Sequence, residues 1–231
     1  MKTLPEPLKS PSLREQVYEV LRDALEAGEL KAGSVIKQDP LSERLGVSRT
    51  PLREALLRLE QEGFVVIKPR SGIHVRRLTE TDIRHLYQMI GALEASVLVT
   101  EAANLTDAKI AAMRRYNNEA RAALSVNDFD RYYNANLALH DSYLQCSDNR
   151  ELVRHVRVMK QRLYDFPRRQ SFVKQWEMAS VDEHDEIIAH LEAGDFAWAA
   201  EIVRDVHWSF AVQQDFIRNY YRDELTGGGG A

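Results

Sequence analysis

Cysteine is nearly absent. Cys146 is the only one in 231 residues, so no internal disulfide can form and the chain fits a reducing compartment. Long apolar runs are missing as well, since none approaches the roughly 18 to 20 residues that span a bilayer; no membrane partner is expected. The opening "MKTLPEPLKSPSLREQ" lacks the apolar core of a signal peptide, so a cytoplasmic location is expected. Beyond Thr79 there is no convincing strand period, which excludes a sheet-based body. What remains is ordinary globular material, 44% hydrophobic and 29% charged, long enough for one or two domains with a real core.

The charge is unevenly spread. Residues 1–77 hold 14 Lys and Arg against 11 Asp and Glu, net +3, whereas residues 78–231 hold 17 against 24, net −7. Residues 42–77 alone carry 8 basic and 4 acidic groups, so a basic head precedes an acidic body.

Residues 1–11, with three prolines, read as a flexible leader. A helix is expected from Ser12, with Leu13, Val17, Val20, Leu21 and Leu25 on one face and Gly28 as its stop. Asp39 can cap a short helix with Pro40 at its first position. Gly46 turns the chain, and Ser48 caps a third helix that Gly63 ends. In that helix Leu52, Ala55, Leu56 and Leu59 make a buried stripe, while Arg49, Thr50 and Arg53 fall off it in the first turns. "FVVIK", the turn "PRSG" and "IHV" then read as a β-hairpin. Helix, helix, tight turn, helix and hairpin is the order of a winged helix-turn-helix, whose second motif helix enters the major groove. Arginine suits that end because its fork pairs with guanine O6 and N7. Gly72 would let the wing backbone approach DNA, with Arg70 nearby. The pattern alone also admits a helical hairpin with a solvated basic face.

From Thr79 the periodicity is helical. One helix places Ile83, Leu86, Ile90, Leu93 and Val97 on one face. Others are expected from Thr106–Asp107 to Asn127, Asp130 to Gln145 and Asn149 to Phe166, followed by a break at "PRRQSF". A short helix over 172–178 and another over 181–192 come next. Gly194 and Asp195 then stop one helix and cap a last long one reaching about Arg222. The fold class is mainly α: a winged head over 12–77, then an all-α bundle of six or seven helices over 78–225 and a flexible tail over 226–231.

Asn136 and His140 are four apart and share a helix face. His184 lies ten residues before Gly194 and His207 twelve after Asp195, so antiparallel packing would bring the two together. Imidazoles and an amide oxygen suit a divalent transition metal. Separate, hydrogen-bonded core or surface histidines are the other reading of the same residues. His74, His85, His155 and His190 have no metal role in this reading, and Cys146 reads as a buried small hydrophobe.

"LGVSRTPLREALLRLEQEGFV" with "SGIHV" downstream resembles the DNA-binding head of the GntR family of bacterial regulators, across residues 12–77. The resemblance implies that Arg49, Thr50 and Arg53, with Ser48, contact a double-stranded DNA operator, and that Arg70 and Gly72 form the wing. Many members carry arginine where this chain has Asp39. Residues 79–222 resemble the FCD effector domain of the family's FadR branch, through "LE" at 93–94, Asn136-x-x-x-His140, "EH" at 183–184, "AGD" at 193–195 and His207.

That resemblance implies a metal held by Asn136, His140, His184 and His207: zinc first, with nickel or manganese as alternatives. The usual first ligand is Asp; Asn here lowers affinity and leaves the site more positive. Relatives often sense small carboxylates, and many clamp them with an arginine at the position of Ile90. Arg162, with Tyr133, is the expected substitute for effector binding. The function implied is a ligand-responsive repressor, a homodimer on an inverted-repeat operator. The competing reading is a metal-dependent enzyme tethered to a DNA-binding head, with Glu183 or Asp185 beside His184. An architectural DNA protein without effector is a third.

Overall fold

The computed structural model describes residues 11–164 and 173–221. The expected leader apart from Pro11, the "PRRQSF" break and the tail lie outside the described residues. The chain divides at Arg77 and Leu78 into two compact units.

The first unit runs α1 (Leu13–Glu26), β1 (Val35–Ile36), α2 (Gln38–Leu45), α3 (Arg49–Gln61), β2 (Val65–Lys68) and β3 (Gly72–Val75). Ser12 caps α1, its hydroxyl accepting from the Glu15 amide at 3.3 Å. Leu52, Ala55, Leu56 and Leu59 of α3 are at most 2% exposed, which turns the opposite face and its cations to solvent. Three helices with a small antiparallel sheet make the winged helix-turn-helix.

Four local expectations need correction. The inner face of α1 is Val17, Tyr18, Leu21 and Leu25, while Leu13 and Val20 are exposed. Polar chemistry rotates that face: Tyr18 donates to Glu62 at 2.6 Å, and the Arg58 and Arg22 guanidinium groups lie over the Tyr18 and Phe64 rings. The sheet has a third strand, β1, paired to β3 in the order β1-β3-β2; two residues are too few to show alternation. Helix α2 starts at Gln38, with Lys37 at the cap position, so Asp39 caps nothing. Its carboxylate instead meets Arg49 at 2.8 Å. Ser48 does occupy the cap position of α3, but its side chain makes no capping bond.

The second unit contains α4 (Glu80–Thr100), a 3₁₀ turn (Ala102–Asn104), α5 (Asp107–Ser125), α6 (Phe129–Leu144), α7 (Arg150–Tyr164), α8 (Lys174–Glu192), α9 (Phe196–Ile202) and α10 (Phe210–Tyr220). A reciprocal capping box of Thr79 and Asp82 starts α4. On its inner face Ile83, Leu86, Ile90 and Val97 are buried as the periodicity requires, but Leu93 is only half-buried and Glu94 takes the inward place beside it.

Here too the structure corrects the sequence reading. The two short helices expected over 172–192 are one, α8, because nothing near Val181, which is fully buried, breaks it. The last long helix is two, parted by a π-turn over Val203–His207. The Trp208 amide bonds the Val203 carbonyl at 2.9 Å, an i→i−5 closure. That extra residue brings His207 and Trp208, neighbours in sequence, both into the interior. Cys146, expected to be buried, sits half-exposed past the end of α6, with Lys109 Nζ 3.1 Å from its sulfur.

Gly91 is where α4 crosses the π-turn. A Cβ there would stand 2.8 Å from Trp208 Cβ and 3.4 Å from the Arg204 backbone. Gly91→Ala should therefore cost about 1–3 kcal/mol through overpacking, read by chemical denaturation. Wild-type stability in that variant would contradict this close crossing.

Candidate metal centre and DNA-reading face

His140 on α6, His184 on α8 and His207 in the π-turn offer ligand atoms within 4.8 Å of one another, all three side chains being buried. Their ring centroids stand 4.7 to 5.2 Å apart. The π-turn is what aims His207 at the other two.

Each ring is oriented through Nδ1. His140 Nδ1 lies 2.7 Å from Tyr143 Oη and 3.1 Å from Glu94 Oε2, and Tyr143 itself donates to Oε2 at 2.6 Å. Asn117 donates its amide to the Val181 carbonyl and to Asp185, both at 2.9 Å, which fixes its Oδ1 as acceptor for His184 Nδ1 at 3.2 Å. His207 Nδ1 donates to Glu183 at 2.8 Å, whose other oxygen accepts from Gln213 at 2.7 Å. With Nδ1 protonated in all three, Nε2 is left as a lone-pair donor; acceptors on the far nitrogen are how proteins fix metal-binding histidines.

Among the described residues, two buried side-chain atoms on these helices have neither a hydrogen bond nor an ion pair, His184 Nε2 at the cluster and Asn136 Oδ1 on α6. Asn136 is buried one turn before His140 on the same face of α6. Buried polar atoms are seldom left unpaired, and a cation among the three histidines would satisfy His184 Nε2, with Asn136 the oxygen donor nearest along α6. Burial pushes His140 down to about 4, with Lys160 and His207 adding to it against the opposing pull of Glu94. His184 is likewise held well below its ordinary value by burial, then by His207, His140 and Lys160. Neutral imidazoles are the form a metal takes. The donor set, three imidazole nitrogens and an amide oxygen, fits a borderline divalent ion.

Glu94 and Lys160 escaped the sequence reading as parts of this site. Glu94 is fully buried, with Lys160 Nζ 2.6 Å from Oε1 and Trp208 Nε1 donating to Oε2 at 2.7 Å. Burial alone would raise its carboxyl, but Lys160 and His140 outweigh that and hold it well below the usual carboxylate range. Only the "LE" pair hinted at Glu94, and nothing in "VMKQRLY" distinguished Lys160 from a surface lysine. Arg162, half-buried, stands about 200° round α7 from Lys160, so the two face opposite ways. Tyr133 packs, half-buried, on the apolar cluster of Ala120, Leu124, Tyr132 and Val181, two turns along α6 from His140.

In the first unit, Ser48, Arg49, Thr50 and Arg53 are all exposed over the first turns of α3. The wing loop is Pro69, Arg70 and Ser71 between the paired Lys68 and Gly72. Arg70 and Gly72 both take positive φ, 64° and 91°, which turns the loop tightly and leaves both residues exposed.

The burial of Glu94 and Lys160 makes their ion pair asymmetric. Glu94→Gln strands an ammonium in the interior and should cost about 3–5 kcal/mol in urea unfolding at neutral pH. Lys160→Met leaves a carboxylate that still has three donors, so its loss should be less than half as large. Equal losses would contradict this account of the pair.

Residues 13–75 match the family described as bacterial regulatory proteins, gntR family, and residues 85–207 match the FCD domain. An HTH-type transcriptional regulator from the TAR-I ttuE-ttuC' intergenic region of Agrobacterium vitis is 31% identical over 133 residues, 56% of this chain and 78% of that one. The Escherichia coli repressor RspR is 24% identical over 136 residues, 59% of this chain but only 60% of its own. Among solved structures, E. coli McbR/YncC superposes with a TM-score of 0.69 over 92% of this chain and 99% of that chain, at 21% identity. A GntR regulator from Rhodococcus sp. RHA1 gives 0.64 over 95% of this chain and 100% of that one, at 18%. At such identities those likenesses are of fold. The two matched domains lie in sequence on the two compact units, and the chain belongs to the GntR family of bacterial transcription regulators, with an FCD effector-binding domain following its winged head.

Proposed function

We propose that this regulator is a repressor: a homodimer whose heads hold an inverted-repeat operator and release it when a small carboxylate enters a metal-centred pocket in the FCD domain. The carrying observation is the convergence of His140, His184 and His207, with every Nδ1 engaged, beside the unpartnered Asn136 Oδ1. Zinc is the first choice for these ligands, ahead of nickel and manganese, and a bound ion would supply an electrophilic centre with open positions.

The charge balance supports an anionic ligand. Lys160 offsets Glu94, burial holds His140 and His184 neutral and Asn136 carries no charge, so Glu183 behind His207 is the one carboxylate left to offset a dication, and the site would stay net positive. A repressor's direction is supported by the relative RspR, which is named one. An inverted-repeat operator would call for a two-fold protein, and the dimer is supported by α4, where exposed His85, Met89, Ala92, Ser96 and Val99 alternate at steps of four and three. The enzyme alternative loses its candidate bases: Glu183 holds His207, and Asp185 is held by Arg114, Arg121 and Asn117.

On the DNA side, Arg49→Ala or Arg53→Ala should cost about 1–3 kcal/mol in operator binding and relax base preference. Loss of Lys68 or Arg70 should instead lower the salt slope by about 1 with preference intact. Wild-type affinity and selectivity in Arg49→Ala would show that α3 is not the reading helix.

On the effector side, Asn136→Asp adds a charged ligand of the same size. It should bind metal more tightly and, at saturating metal, bind small carboxylates more weakly. His140→Ala should lose metal and carboxylate response while still binding DNA. Metal analysis and calorimetry read both; unchanged metal content in His140→Ala would defeat the site assignment.

A further inference from the structure

Asp39 makes no cap for α2, and the structure gives it another partner. In the first turn of α2, its Oδ1 lies 2.8 Å from Arg49 Nη2, at the first residue of α3. The side chains are 69% and 75% exposed, so the pair stands in solvent on the end of the motif that carries Ser48, Thr50 and Arg53.

We propose that Asp39 is a positioning residue for sequence recognition, one that holds the Arg49 guanidinium for a guanine edge and penalises its use on phosphates. The inference rests on reading α3 as the recognition helix. A guanidinium has five donors in a rigid fork. Giving one Nη2 bond to Asp39 leaves the rest of the fork for O6 and N7, and the carboxylate limits the rotations of a long side chain. Guanine's edge is neutral, so Arg49 can hold it without leaving Asp39. A phosphate contact differs, because it places a second anion beside the carboxylate and pulls the arginine away from it. Sequence-independent binding is built from phosphate contacts, so Asp39 taxes that mode and spares the specific one. Discrimination gained by penalising the wrong complex is specificity through repulsion. An exposed ion pair is weak and screened, which keeps Arg49 exchangeable rather than locked away from DNA.

The test uses full-length protein and selection from a random-sequence duplex library. Wild type, Asp39→Asn, Asp39→Glu and Arg49→Ala are each selected, then titrated against the wild-type consensus and against a scrambled duplex. Arg49→Ala should lose base preference at a defined guanine position. Asp39→Asn should blur that same position and bind the scrambled duplex more tightly, so its consensus-to-scrambled ratio falls at least about threefold. Asp39→Glu should recover part of the ratio, since the charge returns on a longer arm. A merely structural surface pair would leave consensus and ratio unmoved in Asp39→Asn, and that result overturns the proposal while the recognition helix stands. An unchanged consensus in Arg49→Ala overturns both together. Thermal unfolding of Asp39→Asn, expected at wild-type temperature, separates recognition from folding.

Discussion

A carboxylate that no water reaches organises the effector domain. Glu94 is 0% exposed, and an ionised carboxyl in that position is tolerable only if donors surround it. They come from three further parts of the chain: His140 and Tyr143 on α6, Lys160 on α7, and Trp208 after the π-turn. Each donor sets a condition elsewhere. Trp208 reaches Oε2 from the end of an i→i−5 turn, and that turn also carries His207 inward. Trp208 then stands so close to α4 that the residue facing it, Gly91, has no room for a side chain. His140 gives its Nδ1 proton to the Glu94–Tyr143 pair, which settles which nitrogen remains a ligand. One buried charge thus fixes a tautomer, a helix break and a glycine.

The same charge sets what the site attracts. Without Lys160, Glu94 would offset part of any bound cation's field; with Lys160 at 2.6 Å it offsets little. Residues 78–231 carry a net charge of −7, so an anionic ligand meets repulsion at long range. Screening confines that repulsion to about 8–10 Å at ordinary ionic strength. In the buried interior the nearby groups decide: His140 and His184 are held neutral, Asn136 adds no charge, and Glu183 behind His207 brings one negative charge. A dication held there, as proposed, would make a positive centre within an acidic domain.

Much of this was legible in the sequence, for reasons that differ by residue. The α3 stripe was visible because four apolar residues at helical spacing have one packing solution. His184 and His207 were visible as candidates because the Gly194–Asp195 turn fixes which helix positions can meet, and His140 through its four-residue spacing from Asn136. Lys160 was not, since a lysine on a strongly amphipathic helix reads as solvated and only tertiary packing puts it indoors. The π-turn carries no Gly or Pro to mark it; it exists because two inward side chains compete for one face. Tyr18 and not Val20 faces the core of the first unit, because its hydroxyl bonds Glu62 while its ring lies under the Arg58 guanidinium. Strand β1 exists only through its pairing with β3.

Asp39 and Glu94 do the same chemical task in opposite surroundings. Each carboxylate holds a nitrogen group whose free edge is the one proposed to act, Arg49 in the head and His140 in the body. The difference lies in the dielectric. Glu94 is sealed, so its bonds are strong and removing a partner leaves an orphaned charge; its histidine keeps one orientation whether or not a ligand is present. Asp39 is about 70% exposed, so water competes for it and its hold on Arg49 is worth little in isolation. That weakness suits a DNA reader. A guanidinium fixed as firmly as His140 could not adjust to an operator, and an unheld one would settle on the nearest phosphate. A metal site needs a rigid ligand because its partner is a point charge with fixed bond lengths. A reading head needs a biased one, because it must first meet many wrong sequences and leave them.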